Sequence, residues 1–245
     1  MKLAIPFLDE DPQAPFPPAS AALREPDGLL AAGGDLSLPR LLNAYRACAF
    51  PWFMPGEPIL WWSPDPRCVY VTADVHVPRR LRRTLRRSGW RVECDRAFAD
   101  VVAGCAAPRD EHGGTWISTA MADAYAALHR AGHAHSVEVR DEGDELVGGL
   151  YGVALGRMFF AESMFSARDD GSKVALLALA QRLAAWGFPL IDAQVASRHL
   201  FTLGAKLVRR EEFVAAVAVL VDRPDVVGSW VGRFGSLPAA QLVND

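Results

Sequence analysis

The sequence predicts an α+β protein with two domains. A small N-terminal domain spans residues 1–65, and a larger domain over 66–245 is built on a mixed sheet with helices on both faces. Three observations predict this. Proline is dense at both ends of the first segment, at Pro12, Pro15, Pro17 and Pro18 and again at Pro51, Pro55, Pro58, Pro64 and Pro66, as in a small unit closed by a Pro- and Trp-rich stretch. From Cys68 onward, strand-like and helix-like patterns alternate. Midway, three short apolar segments follow one another with turn residues between them, as in a meander.

Within the small domain a single helix is expected over Pro39 to Cys48. There Leu41, Leu42 and Tyr45 recur at helical spacing, with Ser37 placed to cap. Asp27-Gly28 and Gly33-Gly34-Asp35 are turn signals. Within the larger domain Cys68 to Thr72 is an expected strand, Pro78 to Arg87 a helix, Trp90 to Cys94 a strand and Ala97 to Ala106 a helix. Met121 to Ala131 is another helix, stopped by Gly132. The meander is Ser136 to Arg140, Glu145 to Ala154 and Arg157 to Glu162, with Glu142-Gly143-Asp144 and Leu155-Gly156 at the turns. Ser172 to Trp186 is a long apolar helix, Pro189 to Gln194 a strand and His199 to Leu203 a short helix. The last Val-rich run, Glu212 to Val221, is expected as a buried strand.

At 245 residues and 51% hydrophobic, the chain can bury a sizeable core. A net charge of −3 excludes a general polycation, so any nucleic-acid contact needs a local patch. Cys48, Cys68, Cys94 and Cys105 have neither CxxC spacing nor a histidine cluster at zinc-finger distance, so reduced thiols and no metal are expected. The start of the chain soon meets Asp9, Glu10 and Asp11, unlike a signal peptide. No stretch reaches the roughly 20 apolar residues of a membrane span. A soluble, cytoplasmic protein without a membrane partner is the expectation.

The strongest physical signal is cationic. Arg79, Arg80, Arg82, Arg83, Arg86, Arg87 and Arg91 crowd one stretch, with no acid from Val75 to Val92. On a helix turning about 100° per residue, those from Arg79 to Arg87 fall within roughly 160° of arc, with Leu81, Thr84 and Leu85 opposite. A solvated face ordinarily mixes signs. A one-sign face predicts phosphate binding through backbone charge, without sequence readout.

Other residues leave alternatives open. Asp192 and Gln194, two apart on a predicted strand, point to one face. They are either an orienting pair or an ordinary strand end near solvent. Glu162 ends the apolar run Phe159-Phe160-Ala161 and is either solvated at a strand tip or held in a site. His133 and His135 alternate on an incipient strand, but no third metal ligand accompanies them.

Several segments, in order, resemble the leucyl/phenylalanyl-tRNA–protein transferase family. They are Leu29-Leu30-Ala31-Ala32-Gly33-Gly34-Asp35-Leu36, Phe50-Pro51-Trp52-Phe53 and Trp61-Trp62-Ser63-Pro64-Asp65-Pro66-Arg67. Gly114-Thr115-Trp116-Ile117, Gly132-His133-Ala134-His135-Ser136-Val137-Glu138 and Leu146-Val147-Gly148-Gly149-Leu150-Tyr151-Gly152 follow. The last are Glu162-Ser163-Met164-Phe165-Ser166 and Ile191-Asp192-Ala193-Gln194. The resemblance runs from about Phe16 to Val221.

The resemblance implies a small N-terminal domain and a C-terminal domain of acetyltransferase-like (GNAT) fold. It implies a reaction without cofactor: Leu or Phe, and Met less well, passes from aminoacyl-tRNA to acceptor proteins with N-terminal Lys or Arg. Such acceptors are thereby marked for the N-degron pathway. It assigns Asp192, Gln194 and Glu162 to catalysis. Leu150, Phe159, Met164, Leu176, Leu179 and Ile191 become candidates for the donor side-chain pocket, where Leu150 departs from a Met of well-known members and Leu179 from an aromatic. Trp52 and Trp116 become candidates to stack on the terminal adenosine, and the arginine helix to grip the acceptor stem. Trp61 and Trp62 are expected to cement the two domains, and the protein to act as a monomer.

Two competitors remain. A CoA-dependent N-acetyltransferase of the same fold would need a glycine-rich phosphate loop, but Ala167-Arg168-Asp169-Asp170-Gly171-Ser172 holds a single glycine, Gly171, and carries two acids. A non-catalytic RNA-binding adaptor would have no use for Asp192, Gln194 and Glu162.

Overall fold

The computed structural model describes residues 5–108 and 115–243. Its N-terminal region carries β1 (Phe7–Leu8), β2 (Leu29–Gly33), α1 (Leu38–Arg46), β3 (Phe50–Pro51) and β4 (Leu60–Trp62). The strands pair in the order β1-β2-β4-β3. Helix α1 follows Ser37 and buries Leu41, Ala44 and Tyr45, one stripe at helical spacing. Trp61 is fully buried, and its Nε1 donates to the Gly33 carbonyl at 2.9 Å. Trp62 Nε1 donates to the Trp52 carbonyl at 2.6 Å. The tryptophan pair thus fastens the small sheet and also belongs to the core shared with Val101, Tyr151 and Phe160 of the larger region, and Trp62 props Trp52.

The larger region continues with β5 (Arg67–Val71), α2 (Arg79–Leu85), β6 (Arg91–Cys94), α3 (Phe98–Ala106) and α4 (Thr119–Arg130). The meander is β7 (Ala134–Arg140), β8 (Leu146–Leu155) and β9 (Met158–Ser166). Then come α5 (Gly171–Ala185), β10 (Leu190–Gln194), α6 (Arg198–Phe201), β11 (Lys206–Val208) and α7 (Arg210–Leu220), and last α8 (Val231–Phe234) and β12 (Leu237–Pro238). The eight-stranded sheet runs β11-β5-β10-β9-β8-β7-β6-β12. Its β9 and β10 are parallel, and α5 supplies the crossover that a parallel pair requires.

Two cores cover the two faces, because successive strand residues point opposite ways. Tyr151, Val153 and Phe160 pack with α1, α3, α4, α7 and the small sheet. Leu150, Phe159 and Ile191 pack with α2, α5 and α8. Both faces being buried, the strands are apolar almost throughout. The result is α+β: a small N-terminal sheet set against one face of a larger mixed sheet.

One expectation fails. The run Glu212 to Val221 is a helix, α7, not a strand. Phe213, Val217 and Leu220 are buried at helical spacing, whereas Val219 is 56% exposed. Glu211 and Glu212 lie in its first turn, where the helix dipole favours acids. β-Branched composition is a weak preference that this one-sided packing overrides. The short strands β11 and β12 and helix α8 give no comparable periodic signal and were not expected.

Candidate active site

The cleft opens where β9 and β10 part. Their register runs Leu190↔Met158, Ile191↔Phe159 and Asp192↔Phe160, and stops there. Both strands bulge at that point. Tyr151 faces Ser163 and Gly152 faces Ala161, so Glu162 is the extra residue of β9. Asp192 faces Val69 and Gln194 faces Cys68, so Ala193 is the extra residue of β10. Gln194 itself sits at φ 59, in the left-handed region. The simple alternation that put Asp192 and Gln194 on one face is therefore broken. Glu162 lies within β9, not at its tip.

Asp192 is fully buried and held by Arg67, also buried: Nε donates to Oδ1 at 2.9 Å and Nη2 to Oδ2 at 2.7 Å. The guanidinium lies between the rings of Phe50 and Phe213, at 4.9 and 4.6 Å, and Nη1 donates to the Cys48 carbonyl at 3.2 Å. Asp192 Oδ1 accepts the backbone N–H of Gln194 at 2.9 Å. The acid thus orients the residue through its main chain and pins the left-handed turn.

Glu162, 8% exposed, has no cation among its hydrogen-bond partners in the described residues. Oε1 accepts from Tyr45 Oη at 2.8 Å and from Gln194 Nε2 at 3.0 Å, and Oε2 from Tyr125 Oη at 2.6 Å. The two hydroxyls stand 2.9 Å apart. Burial pushes the Glu162 carboxyl up to about 7, against the hydrogen bonds of Tyr125, Tyr45 and Gln194 and with the help of the Asp192 charge. Burial likewise raises Tyr45 and Tyr125 well above the usual phenol range.

Two adjoining cavities meet at this set. One, of about 260 Å³, is bordered by Tyr70, Leu150, Met164, Leu176 and Leu200. The other, of about 290 Å³, is bordered by Phe50, Pro51, Trp52 and Val195. Trp116, Glu162, Ala193 and Gln194 border both. Leu150, Met164 and Leu176 border the first cavity. Phe159, Leu179 and Ile191 do not: each is fully buried in the packed core. Trp52 is 45% exposed at the second cavity, and Trp116 is half-buried between the two. Gly114, of the same motif, lies outside the described residues.

Sequence reasoning missed Arg67, Tyr45 and Tyr125. Tyr45 had a signal, its helical spacing with Leu41, but that reads as core. Nothing local joins Arg67 to a residue 125 positions away, or Tyr125 to Glu162.

Away from the cleft, Leu81 and Leu85 anchor α2, and Arg79, Arg80, Arg83, Arg86 and Arg87 are exposed. Thr84 is exposed too, not on the buried side. Arg82 is half-buried, and its Nη1 donates to the Val243 carbonyl at 3.3 Å, so it is partly spent on the C-terminal segment. Arg91 pairs with Asp144. His135 contacts Asp95 Oδ2 through Nδ1 at 2.9 Å and stacks on Trp230 at 3.6 Å, a packing role. The loop before α5 is tied by its own groups. Ser172 N–H donates to Ser166 Oγ at 2.8 Å, Lys173 pairs with Asp170, and Arg168 with Asp141 and Glu145. Among the described residues, no helix is long and apolar enough to cross a membrane.

The model of the leucyl/phenylalanyl-tRNA protein transferase matches residues 69–218, and that of its N-terminal domain residues 34–65. A leucyl/phenylalanyl-tRNA–protein transferase of Xanthomonas axonopodis pv. citri is 57% identical over 240 residues, covering 97% of this chain and 96% of its own. One from Stutzerimonas stutzeri is 56% identical over 209 residues, covering 85% and 92%. Among solved structures, L-PGS from Bacillus licheniformis aligns at TM-score 0.37 and 12% identity over 69% of this chain and 54% of its own, a likeness too slight to carry function. The matches over nearly the whole chain make the protein an aminoacyltransferase. It belongs to the leucyl/phenylalanyl-tRNA–protein transferase family.

Proposed function

We propose that the protein moves Leu or Phe, and Met less well, from aminoacyl-tRNA to the N-terminal Lys or Arg of acceptor proteins, forming a peptide bond and marking them for N-degron degradation. One observation carries the reading: an apolar cavity and a tryptophan-bordered cavity meet at Gln194 and Glu162. A donor with its side chain beside Leu150, Met164 and Leu176 and its adenosine against Trp52 and Trp116 has its ester carbonyl at that junction. Stacking on a base is worth roughly 1–3 kcal/mol and is indifferent to sequence.

The chemistry follows from the hydrogen bonds. Gln194 Nε2 is spent on Glu162, so the amide oxygen on the other side is left to accept from the incoming amine. Asp192 holds that amide through the Gln194 N–H. The aminoacyl ester is already activated, and positioning supplies much of the rate. No cofactor and no metal enter this reading. The exposed arginines of α2 neutralise acceptor-stem phosphates. Residues 66–245 would form a GNAT-like catalytic domain and 1–65 the smaller one, in a cytoplasmic monomer. The four-stranded sheet ends at Trp62 and the eight-stranded sheet begins at Arg67, which supports that division.

The test uses purified protein, Phe-tRNA, a peptide with N-terminal Arg, and acetyl-CoA in a separate arm. Transfer from tRNA alone, lost in Asp192→Ala and Gln194→Ala with donor binding retained, is the expected result. Transfer that requires acetyl-CoA, or none from any charged tRNA, refutes it.

A further inference from the structure

Three oxygen–oxygen contacts close a ring around Glu162: Tyr45 to Tyr125 at 2.9 Å, Tyr45 to Oε1 at 2.8 Å and Tyr125 to Oε2 at 2.6 Å. Each contact needs one proton between its oxygens. With Glu162 ionised, the two phenols supply two protons for three contacts. One pair of buried oxygens then faces without a hydrogen, an unfavourable arrangement where both phenols are fully buried. With Glu162 neutral, there are three protons for three contacts. In one sense of the ring Oε2–H donates to Tyr125, Tyr125 to Tyr45, and Tyr45 to Oε1. The oxygen distances are the same for the proton on either partner. Oε1 then remains the carbonyl oxygen that also accepts Gln194 Nε2.

We infer that Glu162 is the base that takes a proton from the acceptor's α-ammonium, and that Tyr45 and Tyr125 are positioning residues that make its protonated form the hydrogen-bond-complete one. The inference rests on the acceptor reading above. An N–H bond of the ammonium breaks and an O–H bond forms on Glu162. The neutral amine attacks the ester carbon, the C–N bond forms and the C–O bond to the ribose breaks. A second proton from the nitrogen goes to the ribose oxygen. Glu162 then returns its proton to solvent.

Geometry favours this over a fixed countercharge. The groups that face Glu162 are Tyr45 on α1, Tyr125 on α4, Tyr151 on β8, and Gln194 and Asp192 on β10. Arg67, a buried cation at this cleft, is consumed by Asp192. The carboxyl level of about 7 lies close to a free α-amine's usual value of about 8, so the transfer is nearly balanced.

Glu162→Gln separates the alternatives, because its amide can close the same ring while accepting no proton. Transfer from Phe-tRNA to an Arg-initiated peptide, followed as initial rates over pH, should fall about a hundredfold near neutrality. It should recover to within about tenfold once the pH exceeds the acceptor amine's own value of about 8. KM for Phe-tRNA should not change. Tyr45→Phe should move the midpoint of the wild-type pH–rate profile, which a merely structural tyrosine would not. Infrared titration of the wild-type chain without substrate should show a carboxylic-acid band at neutral pH that is absent in Glu162→Gln. A loss equal at every pH would mean that Glu162 is a fixed anion holding the acceptor cation, and no loss would mean that it takes no proton; either overturns the inference. So does the absence of the acid band, even if the variant fails to fold. Wild-type protein that transfers from no tRNA refutes the reaction instead, and the band still decides the ring.

Discussion

The two walls of the cleft carry buried carboxylates under opposite regimes. On the β10 wall Asp192 is matched to a guanidinium by two hydrogen bonds, itself pressed between two rings. On the β9 wall the partners of Glu162 among the described residues are neutral, two phenols and an amide. One wall is a closed ion pair that fixes geometry. The other holds a carboxyl poised between its two protonation states. Burial alone does not determine what a carboxylate does; the charge of its partners does.

Breaking the charged wall should have the largest effect. Arg67→Ala leaves Asp192 buried without a countercharge and should cost about 3–5 kcal/mol of stability in denaturant unfolding at neutral pH. A loss near that of an exposed ion pair would show that water reaches Asp192, and the contrast between the walls would vanish.

The other wall should respond with the opposite sign. The folded state holds the Glu162 proton up to about 7, while the unfolded chain releases it near 4.5. The stability contributed is thus complete below about 4.5 and is lost as pH rises through 7. Glu162→Gln should therefore stabilise the protein at pH 8, on the order of 1–3 kcal/mol, with the gain fading toward pH 4.5. Melting curves of both proteins over that range check it, and a pH-independent difference would contradict it.

Tyr45→Phe removes one hydroxyl from the neutral ring and should cost about 1 kcal/mol. Denaturation midpoints of this variant and Tyr125→Phe, alone and combined, should be non-additive, because the hydroxyls touch each other. Simple additivity would mean independent donors.

Outside both walls, reversing Arg80, Arg83 and Arg87 to Glu should leave stability within about 0.5 kcal/mol. It should weaken binding of charged tRNA and flatten its salt dependence, by close to one in slope per lost phosphate contact. An unchanged slope would make the arginines an ordinary solvated face.

Local pattern was enough for most elements. The helical spacing of Leu41 and Tyr45, the cationic stripe of α2 over Leu81 and Leu85, and the three meander strands each repeat within a few residues of themselves. Such periodicities report which side of an element is buried, and one sequence carries them. The same reasoning failed at α7, where valines suggested a strand and one-sided burial against a distant surface made a helix.

By itself the sequence determined the α+β layout, the charged helix, and the identity of the residues that gather at the cleft, Asp192, Gln194 and Glu162 among them. Only the tertiary structure decided what those groups are to one another. The bulges at Glu162 and Ala193 turn the side chains away from simple alternation. Arg67 and Tyr125 reach the site from elsewhere in the chain. A carboxyl's charge depends on solvent exclusion and on partners within a hydrogen bond's length, and both are set by how distant segments pack, which no local pattern encodes.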